Sequence, residues 1–210
     1  MTDASRTAWE HLRDTSAFQW YVIPLLLIVL YVYAVEVERR NWNVFFAGLA
    51  FWGMDWFNEI WNALVFHFTG RAPVWGAPGG ESAYLVLIGL NIEICFMFAV
   101  FGVVAAKLLP ADRNLRVLGL PNRWVLAGAG AAAAVVVEIA LNAMGALTWE
   151  WSWWRAGMPL LVWLVGYLPF FLVSYWVHDL PKVRSKALAV GALLGLDALA
   201  LIVFISLGWI

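Results

Sequence analysis

The 210-residue chain has a single cysteine, Cys95, and only three histidines. One thiol in an apolar run excludes an internal disulfide and a cysteine metal cluster, and leaves the redox compartment unreadable. His11, His67 and His178 belong to well-separated stretches and do not converge, which argues against a bis-histidine haem or a three-histidine zinc site. Charged residues are scarce at 13% and balance to −1, so there is no basic surface for nucleic acid and too little charge for a soluble domain. There is no Walker loop, no Asp-rich prenyl-diphosphate motif, no pair of broken-helix repeats and no other fingerprint of a cofactor, and none is expected. The start of the chain also lacks the basic onset and short apolar core of a cleavable signal peptide. Residues 1–17 are expected to remain as a polar lead-in, amphipathic or disordered.

What the chain does have is apolar length. It is 64% hydrophobic with 15 tryptophans and a mean hydropathy of +0.80, which predicts an all-α polytopic membrane helix bundle, one domain over residues 18–210. Six segments approach the roughly 20 residues needed to span a bilayer, about 18–35, 44–66, 83–108, 123–147, 158–177 and 187–209. Connections are short, the longest being the Gly- and Pro-rich 69–82 and the charged 110–122.

With six spans, Arg6, Arg13, Arg71 and Arg155 fall on one side. Arg39, Arg40, Lys107, Arg113, Arg116, Arg123, Lys182, Arg184 and Lys186 fall on the other. The positive-inside rule makes the second side cytoplasmic, in a cell membrane with both termini outside. The tryptophans of WEWSWW, 149–154, are then expected at the outer interface, where indoles prefer to lie.

The second segment reads WGMDWFNEIWNALVFH over 52–67 and puts Asp55, Asn58, Glu59 and Asn62 on one helical face. Counted from the cytoplasmic edge at 1.5 Å per residue, Asp55, Glu59, Glu93, Glu138 and Asp197 fall at depths of roughly 14 to 22 Å. Five carboxyls from four helices thus share one slab, with no Lys, Arg or His to neutralise them. They must be protonated, hydrogen-bonded to Asn58, Asn62, Asn91 or Asn142, or bound to a cation. Asn91 and Glu93 point to different sides of their helix, and Glu93 is the one expected in a pocket. Interhelical acid-to-amide bonding is the structural alternative. A hard metal held by Glu59, His67, Glu93 and Glu138 is a further alternative, although no Glu-x-x-His pair supports it, and no metal site is expected.

Pro169 is expected to kink the fifth segment and display Trp163, Tyr167, Phe170 and Ser174 along one side. Small residues over 127–134 and the Gly191/Gly195 spacing beside Asp197 read as helix packing. Acids in a dry, aromatic-lined cavity suit protonation of an alkene or epoxide, because aromatic faces stabilise the resulting cation without attacking it.

On the residues DWFNEIW (55–61), GLNIEICFMF (89–98) and LLGLDALALIVF (193–204), the chain resembles the small membrane-integral terpene cyclases of meroterpenoid and indole-diterpene pathways. The resemblance implies Glu59 as the first acid and Asp197 as the second. The chain is also similar to sterol isomerases of the emopamil-binding type, which would give the acid roles to Glu59 and Glu93.

The expectation is therefore an integral-membrane enzyme that protonates an isoprenoid-type lipid and cyclises or isomerises it. Glu59, Asp197, Asp55, Glu93 and Glu138 would do the acid–base work. Trp52, Trp56, Trp61, Asn58, Asn62, Asn91, Asn142, Trp163 and Tyr167 would form the pocket. The expected partners are a lipid-soluble small molecule and the bilayer, with a homo-oligomer left open. The rival from another class is a proton- or cation-coupled carrier using the same acids, which requires a water path to both faces.

Overall fold

The computed structural model describes residues 1–16, 18–78 and 82–210. Residue 17, at the end of the lead-in, and residues 79–81, within the Gly- and Pro-rich loop, lie outside the described residues. The chain forms an all-α bundle of α1 (Asp3–Glu10), α2 (Val22–Glu38), α3 (Trp42–Thr69), α4 (Ile92–Lys107), α5 (Asn122–Ala143), α6 (Pro159–Asp179) and α7 (Val183–Ser206). Two short hairpins interrupt it, β1 (Leu85–Leu87) with β2 (Leu90–Asn91), and β3 (Arg116–Val117) with β4 (Leu120–Pro121). Each expected segment overlaps one long helix, with ends displaced by up to nine residues. By length and composition α5, α6 and α7 are able to cross a membrane. Helices α2 and α4 are shorter, at 17 and 16 residues, and the 28-residue α3 carries the polar stripe.

Helix α3 is the hub, packed against α4, α6 and α7. Glycine makes the closest of these contacts: a Cβ at Gly102 would meet Phe51 Cβ at 2.6 Å and Gly48 O at 2.8 Å, so backbone lies almost on backbone. Ser174 Oγ donates to Ala47 O at 2.9 Å, tying α6 to the same region of α3. Helix α5 packs on α6 and makes no extensive contact with α3 or α4. That spacing leaves a space bounded by α3, α4, α5 and α6.

The two ends of the bundle are built differently. At the terminal end, α1 is docked by Thr2 N–H to Arg71 O at 3.0 Å, and Arg13 N–H bonds to Leu85 O at 2.9 Å. Gly76 and Thr148 exchange both backbone bonds, at 3.0 and 2.8 Å. Half of the described lead-in is thus helical, and it is anchored, with Ser5 and Ala8 buried. At the opposite, basic end, Lys107 pairs with the fully buried Glu36 at 2.5 Å, and Asp179 gathers Arg113, Arg123 and His178.

The expected third span begins nine residues late. Residues 85–91 pair as a hairpin, and α4 starts at Ile92 with Asn91 as its cap, the Oδ1 accepting from Ile94 N–H at 2.8 Å. An apolar run this short satisfies strand and helix alike, and an Asn followed by a periodic run is a helix start. In α6 the expected disturbance at Pro169 takes the form of a π-helical stretch, Val162–Tyr167, in which Leu168 N–H reaches Trp163 O. Proline lacks the N–H its preceding turn needs, and the wider turn re-routes the ladder.

Candidate active site

The space between α3, α4, α5 and α6 is a cavity of about 530 Å³, within the range of pockets that take a small organic molecule. Asp55, Asn58 and Glu59 enter from α3, Glu138 from α5, and Tyr167 with Phe170 from α6. Asp55, Glu59 and Glu138 are all buried and line the same space. Among the described residues, no Lys, Arg or His lines the cavity.

Glu59 Oε1 accepts from Trp75 Nε1 at 2.7 Å, while its Oε2 has no partner among the described residues. Asp55 Oδ2 is likewise unpartnered. Glu138 Oε1 accepts from Trp149 Nε1 at 3.0 Å, with Tyr167 and Trp154 beside the same carboxyl. Asn58 Nδ2 donates to Gly166 O at 3.2 Å, so the π-helical stretch and α3 are joined at the cavity wall. The turn of the first hairpin closes on the acid: a Cβ at Gly89 would lie 2.6 Å from Glu59 Oε2 and 2.9 Å from Trp75 O. Only glycine lets that turn sit there.

A roof covers the cavity at the terminal end. Glu59 lies ten residues before the end of α3, about 15 Å at the helical rise, and the segments after α3 and α5 fold back over it. Asn62 holds the first of them, accepting from Val74 N–H at 2.7 Å and donating to Trp75 O at 2.7 Å. Trp151 Nε1 donates to Pro73 O at 2.9 Å, and the Arg71 guanidinium stands 4.8 Å from the Trp151 ring centre. Towards the basic end, Phe51, Phe98, Phe170 and Phe171 pack ring on ring at 5.0 to 6.0 Å. Sideways the cavity is less enclosed, since Met97 and Val104 of α4 and Val137 of α5 line it while 45, 46 and 53% exposed.

The structure therefore brings together Asp55, Asn58, Glu59, Glu138 and Tyr167 and disperses the other expected site residues. Glu93 does not enter the cavity. Because α4 begins at Ile92, Glu93 sits in its first turn at the terminal rim, where Tyr21 Oη, Ser82 Oγ and Ala83 N–H all donate to it. Asp197 is buried on the α3-facing side of α7, both oxygens unpartnered among the described residues, but it does not line the cavity. The Glu59–Asp197 and Glu59–Glu93 pairings are thus not assembled there. Asn62, Asn91 and Asn142 spend their amides on backbone, Asn142 Nδ2 bonding to Leu147 O at 3.0 Å.

None of the four expected pocket tryptophans lines the cavity. Trp52 donates to Cys95 Sγ at 3.3 Å and stands edge-on to Trp56, while Trp61 lies behind Trp75 and Trp163 donates to Gly128 O at 2.8 Å. The residues missed by the sequence reading are Trp75, Trp154, Trp149 and Gly89, all on connections. WEWSWW is not simply an interface belt, since Trp154 is only 1% exposed and is part of the cavity wall. Its alternation of indoles with Glu150 and Ser152 was the available signal, because a belt needs no such pattern. His67 stacks on Trp209 at 5.3 Å, and among the described residues no group of three or more His, Cys, Asp or Glu is placed to hold a metal.

A protein of Archaeoglobus fulgidus, described as uncharacterized, is 59% identical over 206 residues, covering 98% of this chain and 97% of its own length. A second uncharacterized protein of that organism is 52% identical over 54 residues, 25% of this chain and 96% of that protein. No solved structure matches the chain. A family model matches residues 2–206, and the chain belongs to that family, an uncharacterized membrane protein family.

Proposed function

We propose that the protein is an integral-membrane enzyme that draws an isoprenoid-type lipid sideways from the bilayer and cyclises or isomerises it by protonation. The observation that carries this reading is the trio Asp55, Glu59 and Glu138 in an aromatic cavity without a basic partner among the lining residues described. Glu59 is the acid, since Trp75 holds one oxygen in place and Gly89 leaves the other uncommitted. Glu59 Oε2–H delivers its proton to an alkene carbon, using the alkene pair to form the C–H bond and leaving a tertiary cation; for cyclisation the electron pair of a second alkene in the chain then forms the ring C–C bond and moves the cation to that alkene's other carbon. Phe98, Phe170 and Tyr167 stabilise that cation by about 0.5 to 2 kcal/mol each when desolvated. Glu138, which accepts from Trp149 Nε1 on the opposite wall, is the carboxylate in this reading. It takes a proton from the carbon next to the cation, and those C–H electrons form the new double bond. One proton enters and one leaves, so substrate and product have the same mass, and the proton passes from Glu138 back to Glu59 between turnovers.

This assignment keeps the chemistry of the cyclase resemblance while giving Glu138 the place that the resemblance gave to Asp197. The nine-to-four distribution of basic residues supports an orientation with the roof and both termini outside the cell. The roof and the phenylalanine packing also favour an enzyme over a carrier, which needs alternating water access from both ends.

The test is a comparison of lipid extracts, by chromatography and mass spectrometry, from cells carrying the intact chain, Glu59→Gln, or no copy. The intact chain should give an isomeric lipid of altered retention, and Glu59→Gln should lower it by about 100-fold or more, the usual contribution of a general acid. Unchanged product in Glu59→Gln refutes the assignment.

A further inference from the structure

The cavity's wall and mouth also restrict what can enter, and this inference rests on the catalytic reading only for the word isoprenoid. Three carboxyls share the chamber, while the chain's basic residues stand at the two ends of the bundle. A phosphate or diphosphate placed there would meet like charge in a low-dielectric space with nothing to neutralise it. The opening is lateral: α5 makes no extensive contact with α4, and the half-exposed Met97, Val104 and Val137 edge the gap. The roof bars entry from the terminal end, and Phe51 and Phe171, both buried, fill the way from the basic end.

We infer that the cavity binds an uncharged polyprenyl chain end-first through the gap between α4 and α5. The chain's far end stays in the bilayer, and its terminal isoprene unit lies against Glu59. Chains carrying a phosphate within a few carbons of the entering end are excluded.

The test uses purified full-length protein in neutral phosphatidylcholine vesicles and follows quenching of tryptophan emission, to which Trp75 and Trp154 in the wall contribute. A linear polyprene hydrocarbon and a short polyprenyl diphosphate are titrated separately. Two variants on the lipid-exposed side of α5 are compared: Ala133→Trp, at a cavity-lining position, and Val136→Trp, at a 66% exposed position outside the lining. The inference expects saturable quenching by the hydrocarbon at least 10-fold stronger than by the diphosphate, lost in Ala133→Trp and kept in Val136→Trp. Equal response to the diphosphate, no saturable response to either, or full quenching in Ala133→Trp overturns it. Saturable hydrocarbon binding without Glu59-dependent turnover upholds this inference and sinks the catalytic one.

Discussion

Buried acids are handled in opposite ways at the basic end and in the cavity. Among the described residues at the basic end, the buried Glu36 has Lys107 at 2.5 Å, and the largely buried Asp179 has Arg123 through two bonds at 3.0 and 3.1 Å, Arg113 at 3.3 Å and His178 at 2.9 Å. Asn122 there gives its amide to three carbonyls, and Lys186 caps α6 by donating to Val177 O at 2.9 Å and to His178 O. In the cavity, Glu59 and Glu138 each accept from one indole, Asp55 Oδ2 and Glu59 Oε2 are left without a partner, and among the described residues no cation lines the space. A buried polar group without its partners costs stability, a cost that the cavity acids share with Asp197 on α7. The chain knows how to neutralise a buried acid and does so only where it is holding helices together.

The comparison breaks first, and most visibly, at Asp179. Replacing it by Ala strands the 14% exposed Arg123 side chain and should destabilise the protein by about 3 kcal/mol, read as a lower thermal midpoint in detergent. Asn62→Ala tests the roof, because it leaves Val74 N–H and the Trp75 carbonyl buried without partners, at a cost of about 2 kcal/mol. On the proposed catalytic reading, that variant should also loosen Trp75 and lower turnover in protein that is still folded. Trp149→Phe removes one indole donor from Glu138 and should cost about 1 kcal/mol. If Trp149→Phe destabilises the protein more than Asp179→Ala does, the contrast between the two regions is wrong.

The sequence made the helices legible because apolar runs of spanning length have few other folds. It made α3 legible as a polar-striped helix, and Asp55 and Glu59 do share a cavity with Glu138 on α5. What it hid was the connections. Residues 85–91 are as apolar as the helix they precede, and mistaking them for its first turns carried Glu93 from the rim to mid-membrane. Depth alone also could not distinguish Asp197 from the trio, since depth fixes height along a helix and not the direction a side chain faces. Trp75, Trp149 and Trp154 were invisible as site residues because they reach the acids from segments that fold back over the bundle, a long-range arrangement with no periodic signal.

The most direct measurement is the thermal midpoint of a variant carrying Asp55→Asn, Glu59→Gln and Glu138→Gln together, purified alongside the intact chain and Asp179→Ala. If the cavity acids serve chemistry, the triple variant melts at or above the intact chain, since it loses no ion pair and its amide oxygens still accept from Trp75 and Trp149. A midpoint as low as that of Asp179→Ala would contradict the account, because the three acids would then be part of what holds the bundle together.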